Sequence, residues 1–87
     1  MPYSYIWIVA KDQNGVEVAG ASIMEGDECL GRTGGDRPLP LDPRVYRVHV
    51  VSQNLTSDER KLVLEPNSED MPATEVFVLK PSATPVA

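Results

Sequence analysis

Apolar and polar residues alternate along this chain in short runs, and turn-forming residues separate the runs. The clearest run is Arg44 to Gln53 (RVYRVHVVSQ), with Tyr46, Val48 and Val50 on one side and Arg47, His49 and Val51 on the other. A period of two is that of a strand with one buried face. In Arg60 to Glu65, Leu62 and Leu64 point together against Lys61, Val63 and Glu65. In Thr74 to Lys80, Phe77 and Leu79 oppose Val76, Val78 and Lys80. Shorter segments run from Val18 to Glu25, interrupted by Gly20, and from Glu28 to Thr33. Pro38 and Pro40 confine the Leu39–Leu41 segment to an edge or an extended connection. Asp12-Gln-Asn-Gly15, Gly26-Asp27 and Gly34-Gly35-Asp36 supply the turns. No apolar stripe of helical spacing has useful length. With Tyr3 to Lys11 at the start, the pattern predicts an all-β, seven-stranded antiparallel sandwich. Residues 1–80 form its single domain, 66–73 a loop and 81–87 a flexible tail.

The first segment breaks the alternation. Ile6, Ile8 and Ala10 form one row, and Tyr3, Tyr5, Trp7 and Val9 form the other, so both faces are apolar. A two-layer core takes one row. The second row is surplus hydrophobic surface, which points to a contact.

Length and charge narrow the rest. Eighty-seven residues allow one domain, and 41% hydrophobic with 24% charged residues is the balance of a folded chain. A net charge of −5 removes the electrostatic drive for a nucleic-acid partner. The run Tyr5 to Ala10 is too short to span a bilayer, and MPYSY lacks the basic start of a signal peptide. The expectation is no membrane insertion; the compartment stays open, with a cytoplasmic or virion-associated location favoured. One cysteine, Cys29, excludes an intrachain disulfide framework and reads as a small buried or half-buried hydrophobe.

The order of turn and core residues resembles a known family. Asp12-Gln-Asn-Gly15-Val-Glu-Val18-Ala-Gly20-Ala21-Ser-Ile23 is similar to the D-x-x-G-x-P-[LV]-x-G-A-x-V opening of carboxypeptidase-regulatory-like, transthyretin-like domains. Thr33-Gly-Gly-Asp36 with Leu39 and Leu41 resembles their T-D-x-x-G turn and following strand. Leu41-Asp-Pro43-Arg44-Val-Tyr46-Arg-Val48-His-Val50 resembles L-x-P-G-x-Y-x-V-x-V. Glu17 stands in place of the usual Pro, Arg44 in place of a Gly, and Asn54, which tolerates a left-handed backbone, in place of another Gly. The resemblance implies a transthyretin-like, immunoglobulin-like sandwich with Ile6, Ile8 and Ala10 inward. It also implies positive φ or close strand approach at Gly15 and Gly20. Its motif residues form turns and core, and carry no chemistry.

Candidate chemistry is sparse. His49, the single histidine, has Arg47 and Val51 as its strand neighbours, neither a nucleophile nor an orienting group. The hydroxyisourate hydrolases of the transthyretin-like fold end in Tyr-Arg-Gly-Ser, whereas this chain ends Pro81-Ser-Ala-Thr-Pro-Val-Ala87. Asp12, Asn14, Asp36 and Asp42 offer oxygens to calcium, but Asp-x-Asn-Gly is equally an ordinary turn, and that question stays open. Asn54-Leu-Thr56 fits the glycosylation sequon, but with no signal peptide evident the match reads as chance. Lys11 has no asparagine in the last strand with which to close an isopeptide bond.

These readings predict no enzyme and no cofactor, and they assign no metal ligand. Tyr3, Tyr5 and Trp7 are the candidate protein-binding residues, unless a loop or the tail covers them. Aromatic side chains bring large rigid area to interfaces. The expected role is a structural or interaction module docking on a protein partner or on itself through the first strand, as an accessory component of a virion, injection machine or stalk. A carbohydrate-binding module with an aromatic platform is the alternative.

Overall fold

The alternating runs build strands, and the computed structural model, which describes residues 3–81, arranges them in two sheets. In chain order the strands are β1 (Ser4–Lys11), β2 (Ser22–Glu25), β3 (Glu28–Arg32), β4 (Leu39–Leu41), β5 (Val45–Ser52), β6 (Leu55–Thr56), β7 (Arg60–Val63), β8 (Ala73–Val78) and β9 (Lys80–Pro81). One sheet has the order β4-β1-β8; the other has β3-β2-β5-β6-β9, with β7 also paired to β5. The described chain is all-β, and its two sheets are consistent with a β-sandwich.

The inward rows are those the alternation marks. Ile6, Ile8, Ala10 and Phe77 from the first sheet cluster with Ile23, Tyr46, Val48, Val50 and Leu62 from the second, all buried. Each fully buried aliphatic or aromatic side chain contributes about 1.5–3 kcal/mol. Buried hydroxyls tie the irregular stretches. Thr33 Oγ1 accepts the Ala21 N–H at 3.1 Å and donates to the Val18 carbonyl at 2.8 Å. Ser57 Oγ accepts the Val50 N–H at 2.8 Å where β6 has ended and β7 has not begun. The Tyr46 hydroxyl reaches back to the Asp42 carbonyl at 2.9 Å, a bond of the tyrosine-corner kind that pins the entry to β5.

Several expectations are corrected. The strands are not all antiparallel, because β8 runs parallel to β1, from Ile6 opposite Ala73 to Lys11 opposite Val78. Strands β2, β3, β5, β6 and β7 of the second sheet are built between them, which supplies the long crossover that a parallel pair needs. Among the described residues there are nine strands where the pattern predicts seven. Leu55–Thr56 and Lys80–Pro81 pair with each other, so Pro81 belongs to a strand and not to the tail. Residues 82–87 lie outside the described residues. Leu79 is the corner: its N–H donates to the Lys11 carbonyl at 2.7 Å, and the chain then passes to the second sheet. The expected Val18–Glu25 strand is cut at Gly20 (φ +76°), before which Val18 bonds Ala10 and after which Ser22 begins the second sheet. Gly15 also has positive φ, +82°. In the turn after β5 the left-handed residue is Gln53 (φ +52°) and not Asn54. Cys29 is exposed, because a register shift between Ile23 and Met24 turns it to the outer face.

Candidate functional site

The surplus aromatic row lies on the outer face of the three-stranded sheet. Alternation along β1 sends Ile6, Ile8 and Ala10 inward and leaves Tyr5, Trp7 and Val9 half-buried on the outside. Tyr3 is 44% exposed and meets Tyr5 edge-on, with ring centroids 6.2 Å apart. The parallel register widens the row into a surface. Pro40 stands beside Tyr5, Thr74 beside Trp7, Val76 beside Val9 and Val78 beside Lys11. Val76 and Val78 are 43% and 55% exposed, so the apolar face spans two strands. Alternation placed these valines opposite Phe77 and Leu79; their neighbourhood with β1 is a non-local pairing that no short motif announces.

Two devices hold this face in position. The Asn67 side chain bonds both main-chain groups of Tyr5, and the Asn67 N–H donates to the Tyr3 carbonyl at 3.2 Å. Arg60 closes the far edge of β8. Its guanidinium donates to the Val76 carbonyl and to the Glu75 carboxylate, and lies 4.6 Å from the centre of the Phe77 ring. An edge capped in this way is a poor template for another strand.

The other candidates do not converge. His49 is half-buried on the second sheet, opposite Met24, away from the aromatic row. Asp12 Oδ1 accepts the N–H groups of Asn14 (2.9 Å) and Val16 (3.0 Å), which makes it a turn residue. Among the described residues no three His, Cys, Asp or Glu side chains gather to hold a metal ion. The Cys29 thiol donates to the Gly31 carbonyl at 3.4 Å. Clefts of about 230 and 260 Å³ open beside β7 and β8. Both fall below the ~300–1,000 Å³ of typical small-ligand pockets.

The strongest electrostatic perturbation is structural. Arg44 donates to both Glu25 carboxylate oxygens (3.0 and 2.8 Å) and lies 3.9 Å from the centre of the Tyr46 ring. The bidentate bond holds the Glu25 carboxyl below its ordinary range and raises the Arg44 guanidinium. Burial pushes the Tyr46 phenol up. No helix is long and apolar enough to cross a membrane among the described residues. Compared with models of known families and with curated proteins, the chain matches none.

Proposed function

We propose that this chain is a non-enzymatic interaction module that docks on a protein partner through the outer face of the β4-β1-β8 sheet. The observation that carries the reading is the two-strand apolar surface of Tyr5, Trp7 and Val9 beside Val76 and Val78. Trp7 is its anchor, since an indole buries ~150–250 Å² and such side chains dominate interface energetics. The net charge of −5 favours a protein over a nucleic acid or an anionic membrane. The fold is proposed to be of the transthyretin-like kind. The positive φ at Gly15 and Gly20 and the Tyr46 bond to Asp42 support that reading. A role as an accessory component of a larger assembly, such as a virion, injection machine or stalk, suits a small domain with one such face.

The test is the double variant Trp7→Ala/Tyr5→Ser. Circular dichroism should show the parent fold, because both side chains point away from the core, while capture of the partner in a pull-down should be lost. A folded double variant that captures the partner as the parent does would place the interface elsewhere. A glycan array with the parent tests the alternative platform, and a retained sugar would replace the protein-docking reading.

A further inference from the structure

The second sheet has a free edge of a different character. Leu64 N–H donates to the Arg44 carbonyl at 3.1 Å, in register with Leu62 opposite Tyr46 and Arg60 opposite Val48. In an antiparallel ladder bonded pairs alternate, so Arg60, Leu62 and Leu64 turn their main-chain groups toward β5. Lys61, Val63 and Glu65 turn theirs outward, and no main-chain bond among the described residues reaches them. Their side chains are exposed, Val63 at 64%, and Val45 beside it is 49% exposed. Other edges are blunted, β9 among them, being two residues long with Pro81 in it. Arg60 caps β8, Pro40 sits in three-residue β4, and β3 carries the register shift.

We propose that β7 is a self-association edge, pairing antiparallel with β7 of a second copy about a two-fold axis at Val63. That register is selected by charge. Centred on Val63, it sets Val63 against its own copy, and Lys61 against Glu65 of the partner subunit, twice. Moving the axis to Lys61 or to Glu65 sets like charges face to face, which is unfavourable. The second sheet then continues across the axis, with Val45 and Val63 of both copies in one apolar stripe. So short an edge buries well under the ~1,200 Å² of a stable interface, so the association is weak and concentration-dependent.

Sedimentation velocity on the full chain, from micromolar to millimolar concentration, should show the mass rising from one chain to two. Lys61→Glu should weaken the dimer about tenfold, and Glu65→Lys likewise, while the double variant Lys61→Glu/Glu65→Lys restores it. Val63→Pro should abolish it without disturbing the β5 ladder, because the Val63 N–H is not used there. Trp7→Ala/Tyr5→Ser should leave it unchanged. A chain that stays monomeric to millimolar concentration overturns the proposal. So does a dimer indifferent to the charge variants, or one lost with the Trp7 variant. Should Val63→Pro fail to fold, the charge exchange decides.

Discussion

Asn67 acts on Tyr5 as a strand would: its Oδ1 accepts the Tyr5 N–H at 2.6 Å and its Nδ2 donates to the Tyr5 carbonyl at 3.0 Å. β8 begins at Ala73 opposite Ile6, so it supplies no residue beside Tyr5, and the side-chain amide stands in for one. Asn67→Ala should cost about 1–3 kcal/mol, the scale of leaving buried or half-buried backbone groups unpaired. Asn67→Asp keeps the acceptor, loses the donor and should fall between the two. Urea titration gives the energies, and hydrogen exchange at the Tyr5 amide locates the effect. If that amide exchanges as slowly in Asn67→Ala as in the parent, the clamp does not protect it.

That contact shows where sequence reading ends. Tyr46, Val48 and Val50, and Ile6, Ile8 and Ala10, were legible because their burial follows from a local period of two. Asn67 lies in the polar stretch PNSEDMPA, 62 residues from Tyr5, and nothing in its neighbourhood marks it. The same holds for Val76 and Val78, whose value to the aromatic surface depends on β8 running parallel beside β1. Cys29 was misplaced because a one-residue slip in a hairpin reverses the face of everything after it. The positive φ fell on Gln53, the first of the two turn residues between Ser52 and Leu55, although Asn54 is the better left-handed residue by type. Turn geometry outweighed residue preference there.

Val48 is wholly buried while its neighbour Arg47 is exposed. Val48→Asp should remove several kcal/mol, on the order of the entire stability of a small domain, by placing an unpaired carboxylate among Val50, Tyr46 and Ile23. Arg47→Asp should stay within about 0.5 kcal/mol of the parent, as exposed substitutions usually do. Thermal melts of the pair are the check, and a Val48→Asp protein melting near the parent would mean that the β5 faces are reversed.

Gly34 is the glycine with the least room. Its φ is +82°, and a Cβ there would come within 2.6 Å of the Ala19 Cβ and 3.0 Å of the Ala19 Cα. Gly15 shares the φ of +82° but would meet nothing within 4 Å. Both Gly→Ala changes carry the left-handed cost of roughly 1–2 kcal/mol. Gly34→Ala should add about 1–3 kcal/mol of overpacking at the Val18–Ala21 crossing. Denaturant midpoints compare the two directly, and equal losses would show that the Ala19 segment yields without cost.

The Glu25–Arg44 pair sets a pH dependence whose direction can be worked out. The carboxyl is held below its ordinary value by the bidentate bond, so the folded protein binds the proton less readily than the unfolded chain. The stabilisation from this pair is therefore fully present above the unfolded carboxylate pKa and is lost as pH falls through the lower, folded value. Glu25→Gln removes it at every pH. The parent should melt above Glu25→Gln at neutral pH, and the two curves should converge in acid once Glu25 is protonated. Because both side chains are partly exposed, at 24% for Glu25 and 50% for Arg44, added salt should shrink the gap at neutral pH. Arg44→Lys separates the two contacts of Arg44, since an ammonium keeps the charge but cannot chelate Glu25 while lying flat on Tyr46. A gap between parent and Glu25→Gln that persists unchanged into strong acid would mean that packing, and not the ionised pair, is responsible.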